Sequence, residues 1–338
     1  MKPLDALTPL VALCIVSVSN AVAQQQASAP PPWAYGFAGP PAPAGQGAAP
    51  GGQPQRGRGG GGATPDTTPR RVPGSDASFT PAQIRDQYGP ADWFPGDHPQ
   101  MPPIVAQGRR DASIIACSLC HYPNGKGRPE NAGVSGLPYA YFVQAMLDFK
   151  NDARKSADTR KTNTNRMIAF AKAMTDEEIK AAALYFSSMK WTAWVKVVET
   201  DSVPKTRIAA GMFIPLEAPD GGKEAIGQRI IEVPENTEAT ETLRNPRSGF
   251  IAYVPKGSLK RGETLATTGQ CALCHGPTLA GLGPVPGIAG RSPSYIVRQL
   301  YDMQRGVRTG LWSELMKRAV ANLSTEDMLD LAAYAASR

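Results

Sequence analysis

Apolar residues recur at helical spacing in two parts of the chain and change rhythm between them. Ile179, Ala183 and Phe186 mark one face behind Thr175, and Met328, Leu331 and Ala335 mark another behind Ser324. Each run opens on a hydroxyl residue with an acid three positions on, "TDEE" at 175–178 and "STED" at 324–327. The pattern predicts a capping box at Thr175 and a near relative of one at Ser324. Earlier helices are predicted over Tyr139–Phe149 and Tyr295–Gln304, with one more leading into positions 117 and 271. Between Trp191 and Lys256 the runs become short and β-prone: "WVKVVET", "RIAAGMFIP", "QRIIEVP" and "GFIAYVP", bounded by Pro and Gly. They predict a small β-rich insert, read as a surface-packed connector in preference to a dedicated docking module.

The apolar pattern almost vanishes near the N-terminus. A lysine and a short apolar run end in Ala21-Val22-Ala23, the form of a signal peptide cut after residue 23. The run is short for a membrane span, although an uncleaved anchor is the alternative. Residues 24–78 are dominated by Pro, Ala, Gly and Gln and read as a disordered tether, with Arg56 and Arg58 as solvated linker residues. Residues 79–103, including "DWFPGDHPQM", read as an extended arm packed on the first helical part. The 338 residues carry a formal charge of +7 without basic tracts interleaved with aromatics. This favours an acidic partner and argues against nucleic acid.

The two helical parts are copies of one another. "CSLCHYPNG" at 117–125 returns as "CALCHGPTL" at 271–279, and Gly108 and Gly262 stand at the same distance before them. "GLPYAYFVQAMLDFKNDAR" (136–154) corresponds to "GRSPSYIVRQLYDMQRGVR" (290–308), with Pro138 paired to Pro293 and Gln144 to Gln299. The chain has five cysteines and three histidines. Apart from Cys14 in the apolar leader and His98 in the arm, the repeated motif uses them all.

Cysteines three apart lie on one helical face with the next histidine beside them. That geometry suits two thioethers to one haem and an imidazole on its iron, the chemistry of Cys-x-x-Cys-His. A redox disulfide would need a βαβ setting, which is missing. A zinc site would have to join two distant pairs that each bring a histidine. The candidate haem residues are therefore Cys117, Cys120 and His121, then Cys271, Cys274 and His275. For the second axial ligand, Met167 and Met316 occupy equivalent places before the closing helices, with Met174 and Met303 as alternatives. His98 cannot serve both haems and reads as a structural or surface residue.

On Gly108/Gly262, the two Cys-x-x-Cys-His motifs, Met167/Met316, and Tyr185/Tyr334 in the terminal helices, each unit resembles a class I cytochrome c. The tandem is similar to the di-haem cytochrome c4 group over 104–190 and 257–338. The resemblance implies an all-α fold of two tandem cytochrome c domains, with three to four short helices around each covalent haem. It also implies that first and last helices cross, with the tyrosine packing near the glycine. The function implied is a periplasmic carrier of single electrons between a dehydrogenase or quinol-oxidising complex and a terminal acceptor, with redox proteins as partners and no catalysis of its own. The alternatives are a di-haem peroxidase or sulfur-compound dehydrogenase with one labile ligand, or a cytochrome subunit permanently docked to a dehydrogenase.

Overall fold

In the computed structural model, the residues described are 29–40 and 66–338. The signal segment with Cys14, and most of the expected tether, lie outside them.

The part of that tether that is described does not behave as one. Pro32–Tyr35 forms a single helical turn, α1, closed by Gly36 in the left-handed region. Trp33, Ala34 and Tyr35 are buried in the main core. A Cβ on Gly36 would lie 2.4 Å from the Gly211 carbonyl oxygen, so the strand of chain passes too close for any side chain there. Composition marked 24–78 as tether because Pro and Gly dominate it. Two aromatics inserted between distant elements outweigh that bias locally.

The arm carries one more single turn, α2 (Pro81–Ile84), and the first unit opens on another, α3 (Pro103–Ala106). Trp93 and Phe94 pack with Val72 and Ile84 in a small separate core that also touches Leu243. Trp93 Nε1 donates to the Leu243 carbonyl at 2.8 Å, and the Arg247 guanidinium lies 3.7 Å from the centre of the Phe94 ring. The arm thus rests on the segment 191–256 and also on the first unit, where Ala116 N donates to the Gln87 carbonyl (2.8 Å), His98 meets Tyr185 edge-on and Met101 packs on the core.

The first unit continues with α4 (Cys117–His121), α5 (Tyr139–Lys150), α6 (Thr162–Ala173) and α7 (Asp176–Ser187). Its core joins Phe142 and Met146 of α5 to Ile179, Ala183 and Phe186 of α7. The Thr175 capping box forms in full.

Seven strands follow: β1 (Val195–Glu199), β2 (Ser202–Pro204), β3 (Thr206–Ala209), β4 (Met212–Pro215), β5 (Lys223–Ala225), β6 (Ile231–Pro234) and β7 (Phe250–Val254). β7 is central, parallel to β1 and antiparallel to β6. "RIAAGMFIP" is a hairpin, β3–β4, turning at Ala210-Gly211 with positive φ at both residues. This segment is not a separate connector. Phe250, Ala252 and Val254 share one core with Ile296, Tyr301, Met328 and the α1 aromatics.

The second unit comprises α8 (Ser258–Thr268), α9 (Cys271–His275), the two-residue strands β8 (Gly281–Leu282) and β9 (Val285–Pro286), α10 (Pro293–Gln304), α11 (Ser313–Val320) and α12 (Thr325–Ala336). Glu232 of β6 is buried at the start of α10, where its Oε2 accepts from Ser292 Oγ (2.7 Å) and Ser294 N (3.0 Å). Ser324 makes a full capping box with Asp327.

Two expectations from the repeat are corrected. α5 and α10 share a uniform offset, as do the cysteines, so Tyr141 matches Tyr295, Asp148 matches Asp302 and Arg154 matches Arg308. The pairings Pro138/Pro293 and Gln144/Gln299 are one residue out of register. The leading helix is also unequal. α8 crosses α12 at Gly262, where a Cβ would lie 2.0 Å from the Asp330 carbonyl oxygen and 2.7 Å from Tyr334 Cβ. In the first unit that helix is reduced to the one turn of α3. Gly108 follows it at φ +64°, packed on the Ile114 carbonyl instead of on α7.

Candidate functional site

α4 and α9 each hold two cysteines on one face and end in a histidine. Both imidazoles are anchored alike. His121 Nδ1 lies 2.8 Å from the Ala132 carbonyl and His275 Nδ1 lies 2.8 Å from the Pro286 carbonyl, each eleven residues on. A carbonyl can only accept, so Nδ1 carries the proton and Nε2 is left with its lone pair. Burial lowers the pKa of both rings, against the smaller opposing pull of those carbonyls. The neutral, metal-binding form is favoured.

Burial pushes the Cys117 thiol up to about 12 and raises Cys120 and Cys271 as well. A reactive redox pair needs the opposite shift. The four motif cysteines are free, and among the described residues no three His, Cys, Asp or Glu side chains cluster as a metal site. Neither the disulfide nor the zinc alternative has support.

In the first unit a cleft open to solvent is lined by Cys120, His121 and Met167 together. Cys117 lies beside it, its Sγ 3.4 Å from the Ile104 carbonyl. Val134, Leu137, Phe142, Met146, Phe149 and Phe170 supply apolar walls, while Arg154, Lys161, Arg166 and Arg298 supply cations. Met174, the alternative ligand in this unit, is buried in the core and does not line it. His98 is also outside it. Its Nδ1 bonds the Pro99 carbonyl (2.8 Å) and its Nε2 bonds Asp92 (3.2 Å), so both ring nitrogens have partners.

The cationic end was not anticipated, and part of it comes from the second unit. Arg154 Nη2 donates to Tyr295 Oη (2.9 Å), and Arg308 Nη2 donates to Tyr141 Oη (2.9 Å). Gln299 Oε1 accepts from both guanidiniums, at 3.0 and 2.8 Å. Burial raises the Tyr141 hydroxyl, but Arg308 and Arg154 outweigh it and leave the pKa lowered. Arg298 donates to the carbonyls of Ala34 (2.6 Å) and Pro129 (2.8 Å). These buried cations have neutral partners, and Arg308 Nε has none. An apolar cleft ending in under-neutralised guanidiniums fits a flat apolar group that carries carboxylates, as haem does.

The second site is arranged differently. His275 is buried, whereas Cys274 is exposed and Met316 is half-buried on α11. Leu273, between the cysteines, is 70% exposed, and Leu315, beside Met316, is 79% exposed. In the first unit the 191–256 segment covers α4. Arg244 donates to the Leu119 carbonyl, Asn124 Nδ2 donates to the Pro246 carbonyl (3.1 Å), and Trp194 packs edge-on against Tyr122.

Fold and site define a c-type cytochrome, a protein whose haem is bound covalently through Cys-x-x-Cys-His. The family model described as Cytochrome c matches residues 106–190. Cytochrome c-554(548) of Halomonas halodenitrificans is 37% identical over 71 residues, 86% of its length and 21% of this chain. The chain belongs to the cytochrome c family, as a di-haem class I member with covalently bound haem c. Two longer relatives match both halves. The thiosulfate dehydrogenase electron acceptor of Stutzerimonas stutzeri is 25% identical over 238 residues, 69% of this chain and 84% of that protein. Cytochrome c4 of Azotobacter vinelandii is 24% identical over 236 residues, 68% of this chain and 87% of that protein.

Proposed function

We propose that the protein is a periplasmic di-haem electron carrier built from two tandem cytochrome c domains. Cys117 and Cys120 would hold one haem, together with His121 and Met167. Cys271 and Cys274 would hold the other, with His275 and Met316. The observation that carries this reading is the meeting of His121 and Met167 in one apolar cleft. When bound, the haem iron would supply one-electron chemistry, and thioether and imidazole donors together would favour the reduced state. The chain's own part is to orient the imidazoles through Ala132 and Pro286, to screen the site with the α5 and α6 aromatics, and to offer a histidine and a methionine donor at each haem. Two donors from the chain would leave no place for substrate, which would separate a carrier from a peroxidase.

A basic chain of net charge +7 suits an acidic redox partner, and salt should weaken their association. The likeness to a thiosulfate dehydrogenase electron acceptor favours a sulfur-compound dehydrogenase as donor, in free exchange or as a docked subunit. Among the described residues no helix is long and apolar enough to cross a membrane. The test is the oxidised protein's response to cyanide. Low-spin spectra that resist cyanide at both haems support the carrier, and rapid binding at either haem would establish an enzyme-like open site.

A further inference from the structure

Lys161 is 5% exposed and lines the first cleft, six residues before Met167. Its Nζ donates to the Tyr35 carbonyl at 3.2 Å, and among the described residues it has no ion pair. The charged groups around it come from each element packed there. The loop before α5 brings Arg128 and Glu130, and the loop before α6 brings Asp158 and Arg160. α10 brings Arg298 and Asp302, and α1 brings the Tyr35 hydroxyl. The β3–β4 turn adds only the uncharged backbone of Gly211, close to Nζ.

Each nearby acid is already engaged. Glu130 pairs with Arg128 through Oε1 at 2.6 Å, its buried Oε2 having no hydrogen-bond partner, and Asp158 pairs with Arg160 at 2.7 Å. Asp302 accepts from Tyr35 Oη at 2.6 Å and from Ala157 N at 2.8 Å. The strap that carries Tyr35 therefore buries a lysine beside the cleft without a counter-ion of its own. Burial first, and then Arg298, lower its pKa to about 7, against the pull of Glu130, Asp158 and Asp302. The ammonium is poised to respond to any charge added to the cleft.

We infer that Lys161 is a positioning residue for electron transfer at the first haem site, binding a solvent proton when the site gains an electron and releasing it on oxidation. The inference rests on reading Cys117–Met167 as a haem site. The balance is simple. One electron from the donor protein lowers the site's charge by one, and one proton from water binds the Nζ lone pair. Oxidation reverses both. The coupling is reciprocal, so protonated Lys161 favours the reduced state. Full coupling changes the reduction equilibrium tenfold per pH unit, about 59 mV for one electron, and partial coupling changes it less.

The test is a potentiometric titration of the full-length haem-loaded protein across the neutral range. One of its two potentials should fall as pH rises through neutrality. In Lys161→Met that potential should become independent of pH and sit lower. In Lys161→Arg it should become independent of pH and sit higher, because the guanidinium stays charged. Reduction by dithionite in weakly buffered solution should take up protons in the wild type and not in either variant. A wild type with flat potentials and no proton uptake overturns the inference. So does a slope that persists in Lys161→Arg, which would move the proton to another group such as Asp302. If Lys161→Met fails to fold, the arginine variant and the wild-type proton uptake still decide. A preparation without c-type bands would instead refute the haem reading beneath it.

Discussion

Arg154 and Arg308 hold equivalent places in the two units and face each other across an antiparallel backbone bridge. Each donates Nη2 to the tyrosine of the opposite unit at the same 2.9 Å. On either side of the bridge the backbone bonds alternate, Lys155 N to the Val307 carbonyl (2.9 Å) and Thr309 N to the Ala153 carbonyl (2.7 Å). The contact is a local two-fold exchange between repeats. It places α10 of the second unit in the wall of the first cleft.

Arg308→Met should destabilise the protein by about 1–3 kcal/mol, because Tyr141 Oη and Gln299 lose a charged donor away from bulk water. Arg308→Lys should recover little of that, since one ammonium cannot serve both acceptors as the fork does. Denaturant unfolding measures the loss. Arg308→Met should also raise the Tyr141 pKa, read from phenolate absorbance, because a cation that lowers it has gone. An unchanged unfolding midpoint would show the exchange to be incidental.

Tyr35→Phe tests the strap. It removes the 2.6 Å bond to Asp302 Oδ1 in a buried setting, at a cost of about 1–3 kcal/mol. Faster proteolysis within 31–40 and a lower melting temperature are expected. If the segment is cut equally fast in both proteins, Tyr35 does not hold it in place.

Gly262→Ala should cost about 3 kcal/mol, because the added methyl meets the backbone of α12 at Asp330. Thr175→Ala, which removes only a cap on α7, should cost about 1 kcal/mol. Thermal unfolding ranks the two. The reverse order would mean that α8 and α12 do not cross so closely.

Met167→Ala and Met316→Ala should each abolish about half of the methionine–iron charge-transfer band of the oxidised protein. If neither does, Met174 and Met303 become the ligands to test.

Local signals carried most of the secondary structure. The α7 and α12 caps, the α5 and α10 spans and the β-prone runs were legible because each depends on residues close in sequence. Cys-x-x-Cys-His was legible because its chemistry fits on one helical turn. Contacts between distant elements were not. "PPWAYGFAGP" reads as tether until Tyr35 finds Asp302, and nothing local marks Lys161 as buried. The prolines at 138 and 293 pulled the repeat out of register, although Tyr141/Tyr295 and Arg154/Arg308 carried the correct offset. The spacing of Gly108 and Gly262 concealed that only the second sits at a helix crossing. The insert looked like a connector because its joint core with the second unit forms only in three dimensions.

The most direct test of the account is a redox titration of the full-length oxidised protein followed by visible absorbance. Two electrons per chain, c-type bands equivalent to two haems and a methionine–iron band that disappears on reduction are expected. One electron per chain, or a high-spin component at either site, would contradict a carrier with two His/Met haems.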